Sequence, residues 1–423
     1  MYTPSHPTHH HHHHHHDLSC SRVLWAVVLA CGLAGTIYLI SSKVILYLSM
    51  PTSMRVSYDD ANTLTALPAV TVCVREMYDY HNLLKLWREA GQTGRLPKDA
   101  DVQLLSVSNL TLDEVWRRGG YERERLVGQC FVGPGKNCEE RGVWRPVLTR
   151  YGYCHSFSGA TTSVPGQQFG IYLVLRYRGH PYGIPFRGFI VAVHDPLQSP
   201  AEAIEDGATC PQKITKTGKK LGCHRLVSVT LQKVHLLHRD SRPCRQKPGY
   251  SSRVCRVTCL HEYVLRHHGC KLPYMLGKGR VCQSEEEVKR VSSAVYQLYD
   301  KGQFNHTAAC DCPPACDLNI YRSSTDTTWN SQRNSIVKVF LEATQNERVV
   351  ESYSYPVPAL VSHIGGFMGL FLSASILTFQ QLLEILLLNA YALAVWVLKG
   401  CMLSRKRRRH LKLLVLRHFE KWQ

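Results

Sequence analysis

Leu360-Val-Ser-His-Ile-Gly-Gly-Phe-Met-Gly-Leu-Phe-Leu-Ser-Ala-Ser-Ile-Leu-Thr-Phe-Gln-Gln-Leu-Leu-Glu384 opens an apolar run that continues to Val397. A helix crossing a hydrocarbon core needs roughly 20 residues. The run exceeds that and must protrude, tilt or break. It also carries small and polar residues at helical spacing: Ser362, Gly366, Gly369, Ser373, Gln380 and Glu384 are separated by 4, 3, 4, 7 and 4. In lipid such a stripe faces protein or water. Gly365 and Gly369 supply the GxxxG spacing of a helix-packing face, which accounts for the glycines. Packing does not account for Glu384, a carboxylate deep in an apolar run, where an unpaired charge costs on the order of 3 kcal/mol. The stripe is therefore read as pore lining.

One other segment, Val23 to Leu48, is long and apolar enough to span a bilayer. A cleaved signal peptide is the competing reading, but its apolar part is normally shorter and no small-residue cleavage pattern stands around Leu48 to Ser53. An uncleaved anchor is expected. The net charge of +19 is unevenly placed, for Lys399 to Gln423 holds nine Lys or Arg and one acidic residue, Glu420. Basic residues directly after a span mark the cytoplasmic side. Two spans then put both termini inside and the middle outside. Charge concentrated beside a membrane also argues against a nucleic-acid partner.

Fourteen of the 17 cysteines fall between Cys73 and Cys316, in the proposed outer region, an even number suited to disulfides in an oxidising compartment. Cys20, Cys31 and Cys401 sit in or beside the spans. Sequons at Asn109 and Asn305 make glycosylation possible there. The expected organisation is a cytoplasmic 1–22, a first span 23–49, an outer domain 50–358, a second span 359–398 and a basic tail 399–423. His9 to His16 are eight consecutive histidines, a low-complexity tract for which metal binding is the less favoured reading.

Within the outer region, strand patterns occur at Ile171 to Leu175, Phe189 to Val193, Val227 to Leu231 and Val337 to Leu341, suggesting a central sheet. Glu285 to Tyr299 reads as a helix with Val288, Val291, Val295 and Leu298 on one face and a Ser284/Glu287 capping box. A second helix is expected around Cys255 to Arg266, with Cys255 and Cys259 on one face. Cys310 and Cys312, two apart, share one side of an extended segment. Nested bridges can staple this helix to that strand, with Cys244 and Cys316 outside them. A zinc cluster can imitate such spacings, and extracellular placement favours disulfides. No metal or cofactor is expected.

Gly365 to Thr378 resembles the Gly-Gly-x-x-Gly-Leu-Phe-x-Gly/Ser-x-Ser signature of the degenerin/epithelial sodium channel family, with acid-sensing and invertebrate pickpocket-type members. Leu67-Pro-Ala-Val-Thr-Val-Cys73 is similar to the family's segment beyond the first span, and Tyr151-Gly-Tyr-Cys-His-Ser-Phe157 and His194-Asp-Pro196 resemble further motifs. Cys244 to Tyr321 is similar to its Cys-rich thumb. The resemblance implies an α+β membrane protein: two transmembrane helices flanking a disulfide-rich extracellular domain with a central β-sheet and helical thumb. It implies the pairs Cys73–Cys154, Cys130–Cys138, Cys244–Cys316, Cys255–Cys312, Cys259–Cys310 and Cys270–Cys282. Cys210 and Cys223 are left over and pair by elimination. One further family bridge is absent in both halves, with His268 where its first cysteine would stand.

The function implied is a subunit of a trimeric, sodium-permeable, amiloride-sensitive channel of the plasma membrane, with sister subunits as partners and Na+ as permeant ion. Ser373, Ala374 and Ser375 would form the narrowest ring. Carbonyls and hydroxyls there can replace part of an ion's hydration shell. Ser362 stands at the outer-pore position known as the degenerin site, followed by His363 where an acid is common. Gly365, Gly366 and Gly369 continue the lining. Glu384 matches an acidic position and Gln381 replaces another. The chain departs from the family in having no His-Gly motif before the first span, so it either begins late or needs a partner subunit. A non-conducting or modulatory subunit, or a Cys-rich receptor, is the alternative. An ATP-gated channel would need clustered outer lysines and lacks the pore signature. For an enzyme the nearest cluster is His235, His238 and Asp240, better explained as a charged loop.

Overall fold

Lys220–His235 is the strand around which the larger sheet is built, and its alternation decides which face is core: Val227, Val229 and Leu231 are buried. The computed structural model describes residues 14–59, 64–177, 186–330, 334–372 and 380–397. Packing divides the chain into residues 1–53 with 353–423, and residues 54–352.

The strands of the two main sheets are β1 (Thr52–Tyr58), β2 (Ala69–Val74), β3 (Val127–Val132), β4 (Val143–Thr149), β5 (Gly152–Ser158), β6 (Ile171–Leu175) and β7 (Phe189–His194). There follow β8 (Ala208–Cys210), β9 (Lys213–Ile214), β10 (Lys220–His235), β11 (Asp317–Asn330), β12 (Ser335–Leu341) and β13 (Glu347–Tyr353). The larger sheet runs β1-β13-β10-β12-β6-β3, with β9 and β11 also on β10; the smaller runs β8-β7-β2-β5-β4. Both β12 and β13 lie parallel to β10, at His224–Val229 and Gln232–His235 respectively. The expected strands at Ile171 and Phe189 are β6 and β7, and those at Val227 and Val337 are parts of the longer β10 and β12. Leu173, Leu175, Val337, Val339 and Leu341 meet Val70, Val72, Phe157 and Phe189 in one apolar core.

Helix α1 is His14–Leu48; α2 (Tyr80–Glu89), α3 (Ala100–Val107) and α4 (Leu112–Gly119) form a group; α5 is Ser252–His268 and α6 Glu285–Val295. After β13 come α7 (Val357–Leu372) and α8 (Gln380–Val397). The α2–α4 group lies outside the sequence expectations, although Thr111 and Glu114 form a reciprocal capping box that starts α4. Asp79 caps α2 by accepting from the His81 N–H at 2.8 Å.

Thumb helices α5 and α6 pack Leu260, Val264, Val288, Val291 and Val295 with Trp116 and Leu112 of α4. The Trp116 and Tyr274 rings stack at 5.8 Å. The apolar stripe of α6 matches its expected helical period, but Tyr296–Asp300 continues it as a π turn. Ser284 accepts from the Glu287 N–H at 3.3 Å. The Glu287 carboxylate is taken up chiefly by Arg280, at 2.7 and 3.0 Å, and by the Gln283 N–H at 2.9 Å. This holds its carboxyl down at about 2. The Ser284 half of the expected capping box is thus present, while Arg280 and the Gln283 N–H take most of the Glu287 carboxylate.

Two sequence motifs acquire reasons here. Gly152, in the β4–β5 turn, has φ +102°, and a Cβ would stand 2.4 Å from the Met77 carbonyl oxygen. His194, buried at the end of β7, has Nδ1 2.9 Å from the Asp195 carbonyl and Nε2 2.8 Å from the Thr71 hydroxyl. A carbonyl only accepts, so Nδ1 carries the proton. Burial holds the imidazole below its ordinary range, consistent with that neutral form.

Candidate functional site

Val23–Leu48 and Gln380–Val397 are helices long and apolar enough to cross a membrane, and almost none of their surface is buried within the chain. Ser354 donates its N–H to the Pro51 carbonyl at 2.9 Å, tying the entry of α7 to the exit of α1. Pro356 precedes α7 and Pro358 lies in its first turn, where a missing N–H is tolerated.

Helices α1 and α7 approach closely at Gly32. A Cβ there would lie 3.1 Å from the Phe371 carbonyl oxygen. Thr36, one turn on, is buried and returns its hydroxyl to the Gly32 carbonyl at 2.7 Å. Small residues at i and i+4 let helix backbones meet without help from water exclusion. Neither residue figures in the expected site, yet the Gly32/Thr36 spacing is readable in the sequence. Replacing Gly32 with Leu is expected to cost about 1–3 kcal/mol through overpacking, measured as a lowered melting temperature of the detergent-solubilised chain, while Gly35→Leu, with nothing within 4 Å of its Cβ position, changes it little.

Ser362, His363, Gly365, Gly366 and Gly369 are all exposed on α7, and Gln381 and Glu384 are exposed on α8. Ser373, Ala374 and Ser375 lie outside the described residues. Ser362, Gly366 and Gly369 share a helical face. Among the described residues nothing lies within 4 Å of a Cβ position at Gly365 or Gly366. Glycine inside a helix costs about 1 kcal/mol relative to alanine. His363 is held at the same level: its Nδ1 is 2.8 Å from the Ala359 carbonyl and 2.9 Å from the Tyr355 hydroxyl, and its ring stacks on Tyr355 at 5.5 Å. The carbonyl fixes the Nδ1 proton and leaves Nε2 outward. Tyr355 is a positioning residue that the sequence reading did not single out.

In residues 54–352 the structure joins Cys73–Cys154, Cys130–Cys138, Cys210–Cys223, Cys244–Cys316, Cys255–Cys312, Cys259–Cys310 and Cys270–Cys282. Bridged sulfurs are unavailable as zinc ligands. Asn109 and Asn305 are exposed, and the Asn305 side-chain oxygen accepts from the Thr307 and Ala308 N–H groups. His235 pairs with Asp317 at 2.6 Å while His238 turns to the Cys244 carbonyl, so the candidate enzyme cluster with Asp240 does not converge.

The amiloride-sensitive sodium channel family matches residues 5–385. The chain belongs to this family. Acid-sensing ion channel 4 of Mus musculus is 24% identical over 86% of this chain and 74% of its own length. Acid-sensing ion channel 1C of Danio rerio is 24% identical over 92% and 82%. A proton-activated chloride channel solved by cryo-EM superimposes with a TM-score of 0.33 and 7% identity, over 86% of this chain and 98% of that one, a likeness too slight to bear on the fold. The protein is thus a subunit of a cation channel of the degenerin/epithelial sodium channel type, a membrane protein and not an enzyme, whose family works as multimeric assemblies. Its two apolar helices flank the sheet-rich, disulfide-bonded extracellular region.

Proposed function

We propose that three copies, or this chain with two sister subunits, form a sodium-permeable, amiloride-sensitive pore in the plasma membrane, lined by α7, the Ser373-Ala374-Ser375 triplet and α8. The observation that carries this reading is the exposed Ser362/Gly366/Gly369 face of α7, beside which neither Gly365 nor Gly366 has a described neighbour within 4 Å of a Cβ position. Sister helices meeting across glycines would leave hydroxyls and carbonyls toward a watery axis. Ser362 and the fixed His363 ring stand at the outer mouth, and Gln381 and Glu384 follow on the inner side. Both termini are cytoplasmic, with spans at 23–49 and 359–398, the outer domain at 50–358 between them, and 399–423 as the inner tail. Asn109 and Asn305 lie outside and are open to glycosylation.

Gln381 favours a second reading. A threefold pore would lose three negative charges near its inner mouth, which suits a subunit that conducts only beside a partner carrying them. Whole-cell current in oocytes separates the two. An amiloride-blocked sodium current, altered when Ser375→Cys is treated with an external thiol reagent, is the expected result. Silence at confirmed surface delivery would overturn the homomeric pore, and current restored by co-expressed relatives would favour the partnered one.

A further inference from the structure

Lys213 to Lys220 holds four lysines in eight residues, and no Asp or Glu occurs from Gly207 to Arg239. The segment is a built hairpin. Lys213 pairs with Leu221 and Ile214 with Lys220. Across the turn, the Thr215 N–H reaches the Lys219 carbonyl at 2.9 Å, the Gly218 N–H reaches the Thr215 carbonyl at 2.9 Å, and the Lys219 N–H donates to the Thr215 hydroxyl at 3.0 Å. Gly218 takes φ +77°, which the turn needs. Two-residue strands are marginal alone, and the Cys210–Cys223 bridge closes this one at its base.

The tip has no evident role in folding. Lys213, Lys216 and Lys219 are exposed and Lys220 half-buried, and among the described residues none of the four makes an ion pair. Lys213 instead sits over the exposed Trp329 ring, 5.5 Å from its centre. The closest acid along the neighbouring strand, Asp326, lies opposite Leu226, six residues or roughly 20 Å from Lys220 along β10. Four cations without an acidic partner concentrate positive potential on a stapled tip.

We propose that this hairpin docks a sulfated polysaccharide at the cell surface. The register puts Lys213 and Lys220 on opposite faces, so the charges ring the tip. A flexible linear polyanion can follow them, whereas a flat anionic membrane meets one face only. Each contact releases condensed counterions, making such binding strong at low salt and steeply salt-dependent. Trp329, partly exposed beneath Lys213, adds apolar surface for a sugar ring. The proposal rests on the hairpin being extracellular and is independent of whether this chain conducts alone.

The test uses fluorescent heparin on intact cells that make no sulfated glycans of their own and express the full chain, normalised to surface protein, so that the basic tail at 399–423 is out of reach. Wild type should bind saturably. Lys213, Lys216, Lys219 and Lys220 changed together to Gln should lose about tenfold or more in affinity and flatten the salt dependence, and the same four changed to Arg should keep it. A control with the exposed Lys136, Lys247, Lys278 and Lys301 changed to Gln should stay within about twofold of wild type, since net charge alone contributes little when screened. Absence of wild-type binding, an unaltered hairpin variant, or an equal loss in the control would overturn the proposal. So would displacement by polyglutamate as effective as by heparin, which would assign the tip to an acidic protein segment.

Discussion

Changing Cys73 and Cys154 together to Ala is expected to destabilise the chain by about 4.5 kcal/mol and to abolish most surface delivery. Both sulfurs are wholly buried, and their bridge ties β2 to β5 in the smaller sheet across a sequence separation of 81. Cross-linking stabilises mainly by shrinking the unfolded ensemble, and the effect grows with the logarithm of loop length. The Cys130–Cys138 bridge, at a separation of 8, should then be worth only about 2.5 kcal/mol by the same relation. Thermal melts of the full chain in detergent, each pair removed separately, decide the point. Equal losses from the two pairs would mean that chain entropy is not the source. The single Cys73→Ala change should be worse in cells than the double, because it leaves a buried thiol free to mispair.

Glu202→Gln is expected to stabilise the protein at pH 8 by up to about 3 kcal/mol and to change it little at pH 4. Glu202 is 3% exposed, beside a cavity of about 40 Å³ that Arg150, Arg253, His261 and Tyr274 also line. Among the described residues neither of its carboxylate oxygens has a hydrogen-bond partner. The nearby Arg253 is engaged by Asp206, and Arg150 by Asp300 at 2.8 Å. Burial, only partly offset by Arg253, pushes the Glu202 carboxyl up to about 7. The folded protein therefore keeps a proton that the unfolded chain releases near pH 4.5. Stability falls as pH rises from there through about 7, and the loss is complete above it. Glutamine mimics the protonated form and removes this loss.

His261, lining the same cavity, works in the opposite direction. Burial lowers its imidazole to about 4, and its Nδ1 accepts the Leu276 N–H at 2.9 Å. Its share of stability is lost as pH falls from about 6.5 through 4. Because both Glu202 variants retain it, it cancels from their difference at any one pH. Chemical denaturation of wild type and variant at pH 5 and 8 provides the measurement. A gap that does not widen between those pH values would refute a protonated Glu202.

The sequence by itself determined the features whose signal is local. The period-2 burial of Val337, Val339 and Leu341, the helical stripe of Val288, Val291 and Val295, and the apolar length of Val23–Leu48 are properties of contiguous residues, and the structure places a strand and two helices there. Helices α2 to α4 were missed because, at eight to ten residues, they span too few turns for a clear period, and tertiary contact through Trp116 and Leu83 supplies what propensity does not. Only the tertiary structure decided that β10 takes both β12 and β13 as parallel neighbours, that Gly32 meets the Phe371 backbone, and that Tyr355 orients His363. It also decided that the Arg280 guanidinium captures the Glu287 carboxylate, and that Arg253 is engaged by Asp206 while Glu202 is left without a hydrogen bond among the described residues. Periodicity is fixed by the geometry of one backbone segment, whereas a partnership depends on the burial and competing partners of two segments far apart in the chain.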